Sequence, residues 1–283
     1  MRRAEFVCDD LGLITSHLDE IQYGVMSIPD TPLPYALPLS FCYLPALPPS
    51  QIGTPHQTHG TSTHSTLCAA PPHNTPSCSA QKGAIGIHGA KAGRKFALLK
   101  HNPKVCFSAT KPYAYIGSEF LGGAMIPTQF FFCVMIAGQF RVVEDNALKR
   151  EILGALVRKY EPQSENFSFS KKAFTGSERG VFVGFIEIEH LSVKAKFGQN
   201  LKQSEFESIL SDLQAKYDSI YKNLGNACAS LQSLESLQSG QATQTLQQSP
   251  QSLQSSQILQ SLQSLQTLKQ TIALMKHFAK MSK

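Results

Sequence analysis

The sequence lacks a long apolar run, and no segment approaches the ~18 apolar residues of a membrane-spanning helix. At its start, Cys8, Asp9 and Asp10 precede any apolar stretch, so the hydrophobic region of a secretory signal peptide is missing. The 7 cysteines are an odd number without a tight spacing, which favours free thiols in a reducing compartment over disulfides. These absences predict a soluble cytoplasmic protein without a membrane span.

Charged residues are also scarce, at 16% of the chain against roughly 25% in an average globular protein. Uncharged polar residues must therefore be concentrated somewhere in the sequence. Cations exceed anions by a formal net charge of +6, but Lys and Arg form no long run. This modest excess favours an anionic ligand and does not predict nucleic-acid binding.

One uncharged block covers residues 45–81, where 7 Pro, 6 Thr, 5 Ser and 4 of the 9 His occur. Its length and composition predict a disordered surface insertion between two strands. Metal binding is the alternative, since the block carries the ligand types His56, His59, His64, Cys68, His73 and Cys78. Their spacing is irregular and lacks a Cys-x-x-Cys pair, so we expect no metal site here.

A second low-charge block, residues 229–268, repeats the triplet Ser-Leu-Gln, and Glu235 is its only charged residue. A period of three rotates by about 60° per repeat against the helical turn, so its leucines do not stay on one helix face. We therefore expect a helix over 201–228 and a low-complexity tail over 229–283, whose deletion should leave the fold intact. Residues 268–280 are weakly amphipathic and cationic, which favours a solvated tail, with a partner or membrane-surface role as the alternative.

The rest of the chain predicts a mainly β fold with peripheral helices, in the form of a small antiparallel barrel. Apolar or alternating segments predict strands over 34–43, 84–88, 105–109, 130–143 and 181–189. Apolar spacing predicts three helices: one over Ile14, Leu18, Ile21 and Val25; one over Leu148, Ile152, Leu156 and Tyr160 after an N-cap at Asp145; and one with a capping box of Ser204 and Glu207 that ends at Gly225.

The run from Gly86 to Val105 carries the clearest chemistry. It reads as a strand end, a glycine-bearing turn and a short helix that opens with Arg94 and Lys95. The first amides of a helix have no partner within the helix, so two cations beside them make a site for an anion such as a phosphate. Gly89 would allow close backbone approach to the ligand. The alternative is an ordinary solvated helix start.

This arrangement resembles the phosphate-binding turn of the pyridoxamine 5'-phosphate oxidase-like FMN-binding split barrels, and most closely their nitroimidazole-resistance-like branch. The shared features are Met1-Arg2-Arg3, the strand Pro34 to Phe41, the turn His88 to Lys95, and Val143-Glu144-Asp145 before a helix. The resemblance implies an FMN-binding split β-barrel over residues 1–200, interrupted by 45–81.

The resemblance also implies roles for individual residues. Arg94 and Lys95 match the positions that hold the FMN phosphate. The strand that lines the flavin corresponds to Pro38, Leu39 and Ser40, and the turn beside it to His88, Gly89 and Ala90. Cys133 falls on a neighbouring strand, where a small polar residue often sits. His88 is either a catalytic proton donor or a hydrogen-bonded histidine at a strand end.

The family resemblance implies a homodimeric flavoprotein with FMN as cofactor. Its expected activity is that of an oxidoreductase that passes electrons from a donor such as a nicotinamide to a small organic acceptor, most specifically a nitro-aromatic compound. Two alternatives stay open. One is a haem-binding or haem-degrading barrel in which His190 or a C-terminal histidine ligates iron. The other is a non-catalytic flavin-binding protein.

Overall fold

The computed structural model describes residues 3–46, 83–162, 180–238 and 250–281. The strands in these ranges are β1 Tyr23–Ile28, β2 Tyr35–Ser40, β3 Cys42–Leu44, β4 Ala84–Ala90, β5 Lys104–Ile116, β6 Thr128–Val142 and β7 Val181–Lys196. The helices are α1 Leu11–Glu20, α2 Arg94–His101, α3 Asn146–Tyr160, α4 Gln203–Gln238 and α5 Pro250–Met281. Short 3-10 helices cover Ala4–Phe6 and Phe120–Gly123.

The described strands form one sheet in the order β2-β1-β5-β6-β7-β4-β3. Its pairings β1–β2, β1–β5, β3–β4 and β4–β7 are antiparallel. β2 lies at one edge of the sheet, a position that suits Pro38, because proline has no amide hydrogen to donate to a neighbouring strand. The structure therefore confirms a mainly β fold with peripheral helices.

The sheet curls into a split barrel because a single residue connects the strands at its two edges. β2 and β3 lie at opposite edges of the sheet, yet Phe41 alone separates them along the chain. The two edges must therefore meet at Phe41, which is completely buried. Since β2 and β3 belong to different edges, the barrel stays open along the line between them.

The chain divides into two compact units. The first contains residues 1–110 and 133–193, and the second contains residues 111–132 and 194–283. The sequence predicts boundaries at residues 200 and 228. The second unit also contains the ends of β5, β6 and β7, together with the C-terminal helices. Contiguous sequence composition gives no sign of that assignment.

In the first unit, α3 covers one part of the sheet. Asp145 caps the helix by accepting a hydrogen bond from the Leu148 amide at 2.8 Å, as the sequence predicts. Apolar residues at a spacing of four then pack on β3, β4 and β7, in a cluster formed by Cys42, Leu44, Ala84, Val143, Leu148, Ile152, Leu156, Val183 and Phe185. The pairing of β3 with β4 confirms that residues 45–81 interrupt a strand pair. The candidate metal ligands of that insertion lie outside the described residues.

Two helix predictions in the sequence were wrong in detail. Val25 does not continue the first helix but lies in β1, because α1 ends at Glu20 and the following residues pair as a strand. Ser204 and Glu207 do not form the capping box, since Glu205 instead accepts a hydrogen bond from the Lys202 amide at 3.0 Å. The helix also continues past Gly225 as far as Gln238.

The second unit overturns the expectation of a solvated tail over 268–280. Within α5, the described side chains include a buried stripe of Leu265, Leu268, Thr271, Ile272, Leu274, Met275 and Phe278. Each step of three residues rotates the leucine position around the helix axis in one direction. The step of four residues from Leu268 to Ile272 rotates it back, so the apolar side chains stay on one face. This stripe packs in the second unit, where the ring of Phe278 stacks on Phe197 with 5.5 Å between centroids. None of the helices in the described ranges combines the length and apolar character needed to cross a bilayer.

Candidate functional site

The end of β4 is open on one side. Its last residues, from His88 to Ala90, pair with β7 on one flank. On the other flank, the described pairing with β3 stops at Cys42 opposite Gly86. The chain then turns and begins α2 at Arg94. The predicted site residues on this segment therefore lie at the opening of the barrel.

The start of α2 has the features of an anion site. Its N-cap is Gly93, whose φ of 92° lies in the left-handed region that favours glycine. No side chain caps this end, and the first turn contains no acidic residue. Arg94 and Lys95 occupy the first two helical positions, where the helix dipole already places partial positive charge. A bound anion would relieve this concentration of positive charge.

Lys95 lies across the end of β4. Its ammonium nitrogen is 5.2 Å from the centroid of the Phe182 ring. A Cβ added to Gly89 would lie 2.5 Å from that nitrogen, so the lysine depends on the missing side chain of Gly89. Burial lowers the pKa of Lys95. A partly desolvated ammonium therefore lies against the backbone of Gly89, in space that the Cβ of any other residue would occupy.

His88 lies just before this glycine and keeps an exposed side chain. Loss of hydration around its ring lowers the pKa of His88, and the nearby charge of Lys95 lowers it further. The neutral imidazole is therefore the dominant form near pH 7. In that form one ring nitrogen donates a hydrogen bond and the other accepts one.

Arg94 reaches the loop between β1 and β2. Its Nε and Nη2 atoms donate hydrogen bonds to Oδ2 of Asp30 at 3.1 and 2.6 Å. The guanidinium also lies 4.9 Å from the centroid of the Tyr35 ring. The hydrogen bonds from Arg94, followed by one from the Thr31 amide, lower the pKa of Asp30. Asp30 engages only two of the five N–H bonds of the guanidinium, so the same side chain has further donors for a phosphate.

Both ends of β2 lie close to the segment that runs from β4 to α2. Ser40 is two residues before Cys42, which pairs with Gly86, and Ser40 itself pairs with Tyr23 of β1. At the other end, Arg94 meets Tyr35 at the start of β2. We use the name split cleft for the cofactor region that the sequence predicts, with Pro38, Leu39 and Ser40 on one side, His88, Gly89 and Ala90 on the other, and Arg94 and Lys95 at its end.

These residues suit FMN by their chemistry. Two cations and uncapped amides match a phosphate dianion, and Gly89 provides a surface without a Cβ where the backbone can be approached closely. The Lys95 ammonium lies against Gly89, whereas Pro38, Leu39 and Ser40 are assigned to the site by the resemblance and pair with β1 in the structure. Sequence reasoning missed Asp30 and Phe182, because neither residue belongs to the glycine-bearing turn.

The other sequence candidates lie elsewhere in the first unit. Cys133, on β6, accepts a hydrogen bond from the Thr110 hydroxyl at 3.1 Å. His190, on β7, lines a groove of about 350 Å³ together with Met135 and Cys106. Neither residue has a contact with the residues that define the split cleft among the interactions described above.

Comparison with known proteins places most of the first unit in one family. Residues 11–190 match the family model described as "Putative FMN-binding domain". No curated protein matches the chain.

Several solved structures are similar. A "putative 5-nitroimidazole antibiotic resistance protein" from Bacteroides thetaiotaomicron is 18% identical, with a TM-score of 0.45 over 66% of this chain and 85% of that chain. An FAD and haem binding protein from Mycobacterium smegmatis is 14% identical, with a TM-score of 0.45 over 68% of this chain and 74% of that chain. A "putative pyridoxamine 5'-phosphate oxidase" from Listeria innocua is 17% identical, with a TM-score of 0.32 over 64% of this chain and 95% of that chain.

Proposed function

The chain belongs to this family of FMN-binding domains, and we propose that it is an oxidoreductase that uses FMN to reduce a small organic acceptor such as a nitro-aromatic compound. The observation that carries the proposal is the pair of cations at the uncapped start of α2. When bound, FMN supplies the electron-transfer chemistry, and the protein supplies binding, orientation and proton donation.

In this proposal, the phosphate of the cofactor binds at the end of the split cleft. Lys95 contributes a partly desolvated ammonium, and Arg94 contributes the donors that Asp30 does not engage. The first amides of α2 complete the set of donors. Pro38, Leu39 and Ser40 then line one side of the flavin, and His88, Gly89 and Ala90 line the other.

We propose that His88 is the proton donor to the reduced acceptor. Its lowered pKa makes the imidazolium form a stronger acid, so His88 takes a proton from solvent, gives it to the reduced acceptor and returns to the neutral ring. Its exposed side chain at the barrel opening leaves room for an acceptor to approach. A nicotinamide is the proposed electron donor.

The proposed protein is a homodimer. Its support is a set of exposed apolar side chains on strands of the first unit, with 62% of Tyr23, 41% of Val25 and 39% of Met135 exposed. Apolar side chains at this exposure favour association with a second surface. Sedimentation equilibrium of the purified protein tests this proposal, which a monomer at all concentrations would contradict.

Two measurements test the enzymatic proposal. The purified protein should carry flavin absorption bands near about 370 and 450 nm, and it should bind FMN more tightly than riboflavin because riboflavin lacks the phosphate. With a nicotinamide donor it should reduce a nitro-aromatic acceptor, and His88→Gln should lower turnover while FMN content is kept. Flavin binding without turnover for any donor and acceptor pair would favour a flavin carrier instead.

Haem binding is the second candidate, and it has an observation of its own. His190 places an exposed imidazole beside Met135 in the groove of about 350 Å³, and imidazole and thioether are both haem ligands. An intense absorption band near about 400 nm after addition of haemin, lost in His190→Ala, would support this candidate. The same spectrum in both proteins would exclude His190 as the ligand.

A further inference from the structure

Phe41 controls the geometry of the split cleft. It is the one residue between β2 and β3, and therefore between the two edges of the curled sheet. Its ring is fully buried and contacts Phe107 edge to face, with 5.0 Å between centroids. Since Ser40 precedes it on one side of the cleft, a shift of Phe41 would move that side relative to β4.

Tyr160, the last residue of α3, holds this link at its backbone. The Phe41 amide donates a hydrogen bond to the Tyr160 hydroxyl oxygen at 3.1 Å. The hydroxyl in turn donates to the carbonyl oxygen of Gln22, between α1 and β1. The hydroxyl also donates toward the carbonyl oxygen of Phe41 at 3.3 Å. One phenolic oxygen thus joins both backbone groups of Phe41, the neighbour of Ser40, to the chain before β1.

The burial of Tyr160 keeps these connections in place near neutral pH. Loss of hydration is the main cause that raises the pKa of Tyr160, so its hydroxyl retains the proton that it donates to Gln22. A tyrosine hydroxyl can donate one hydrogen bond, and its oxygen can accept up to two. The hydroxyl proton is shared between the carbonyl oxygens of Gln22 and Phe41, and the oxygen accepts from the Phe41 amide.

Lys159 secures the same link at its side chain. Its ammonium donates a hydrogen bond to the Leu18 carbonyl oxygen at 2.7 Å and lies 3.5 Å from the centroid of the Phe41 ring. The ring of Phe41 therefore has Lys159 as a cationic neighbour and Phe107 as an aromatic one. Adjacent residues at the end of one helix thus hold both the backbone and the ring of Phe41.

We propose that Tyr160 is a positioning residue for the FMN site, which acts by holding Ser40 and Phe41 at the width that the cofactor requires. The inference rests on the proposed location of FMN in the split cleft. Tyr160 itself makes no contact with the anion-binding cations in the proposal. Its effect on the cofactor passes through Ser40.

The test is Tyr160→Phe, which removes the hydroxyl and keeps the ring. We expect the Kd for FMN to rise roughly tenfold, because the lost hydrogen bonds no longer oppose movement of Ser40. The visible circular dichroism of bound FMN should also change, since the flavin would sit in a less fixed environment. Titrations are made well below the unfolding temperature of each variant.

A matched control separates positioning from stability. Ile116→Val shortens a completely buried side chain in the second unit and should lower the midpoint of urea denaturation modestly. We expect it to leave the Kd for FMN and the flavin dichroism unchanged. An equal rise in Kd for both variants would overturn the positioning role, because the effect would then follow stability alone.

A second measurement uses the wild-type protein and does not depend on folding of the variant. If the link is coupled to the cleft, FMN should slow hydrogen exchange in a peptide covering residues 39–43, because such coupling is reciprocal. A peptide from α4 should exchange at its original rate. Unchanged exchange over 39–43 in saturating FMN would overturn the proposal.

The outcomes also distinguish this inference from the proposed function. If wild-type protein binds no FMN, both are wrong. If wild-type protein binds FMN and loses it on removal of Arg94 and Lys95, but Tyr160→Phe binds it equally tightly, only the positioning role is wrong. Tighter binding to wild type than to Tyr160→Phe, with the control unchanged, supports both.

Discussion

The two cations at the start of α2 should contribute unequally to FMN binding, and single substitutions can measure the difference. Lys95→Met removes an ammonium that is partly desolvated beside Phe182. A charge-assisted hydrogen bond is worth about 1.5–3 kcal/mol, so FMN affinity should fall by roughly 10- to 100-fold. Arg94→Gln removes a side chain that is 59% exposed and already paired with Asp30. Solvent screens the charge of so exposed a side chain, so its contact with the phosphate should be weak and FMN affinity should fall by only a few-fold.

The assay is a titration of each variant with FMN and with riboflavin. Riboflavin lacks the phosphate, so its Kd should be the same in wild type, Lys95→Met and Arg94→Gln. Lys100→Met is the matched control, because Lys100 is an exposed cation in the last turn of the same helix. It should change neither Kd, and higher salt should weaken FMN binding more than riboflavin binding.

Three results would refute this reasoning. The first is an unchanged Kd for FMN in Lys95→Met, which would place the phosphate elsewhere. The second is an equal loss for FMN and riboflavin, which would indicate damage to the flavin surroundings. The third is a larger loss for Arg94→Gln than for Lys95→Met, which would show that the bond to Asp30 orients the guanidinium toward the phosphate.

Three further predictions follow from individual contacts. Gly89→Ala should reduce FMN affinity roughly tenfold, because its Cβ would lie 2.5 Å from the Lys95 ammonium and displace it, while the far-ultraviolet circular dichroism stays unchanged; retained affinity would contradict the contact. Phe278→Ala should lower the free energy of unfolding by about 3–5 kcal/mol, measured by urea denaturation, because it removes the ring stacked on Phe197; a loss below about 1 kcal/mol would mean that α5 is not packed. Burial lowers the pKa of Lys159 in the folded protein to about 8. In the unfolded chain the pKa of lysine is about 10.4, so between these two values the unfolded state binds more protons than the folded state. The stability of the wild type relative to Lys159→Met should therefore rise as the pH increases across this interval. A difference between the two proteins that stays constant with pH would refute the shift.

Local chemistry decided which parts of this structure could be predicted from the sequence. Arg94 and Lys95 follow a glycine turn within a few residues, so their meeting with the helix start needs no long-range information. The same holds for Asp145, which caps the helix that it precedes. By contrast, Asp30 meets Arg94 across 64 residues, and Tyr160 meets Phe41 across 119. Such contacts depend on how the sheet curls, which no local pattern encodes.

The C-terminal helix shows a different limit. The triplet repeat predicts no continuous helix face, because a strict period of three spirals around the helix axis. One four-residue step from Leu268 to Ile272 is enough to restore a buried face, and the side chains of Met275 and Phe278 extend it. A low-complexity composition therefore does not by itself exclude a packed helix.

The register between β3 and β4 has a practical consequence for protein engineering. Leu44 and Ala84 are directly opposite partners in that pairing, so their backbones lie about 5 Å apart. An Asn-Gly type I′ turn spans such a gap in a two-residue hairpin. Joining the two strands in this way would excise the uncharged insertion without lengthening any connection, and would yield a minimal flavoprotein scaffold.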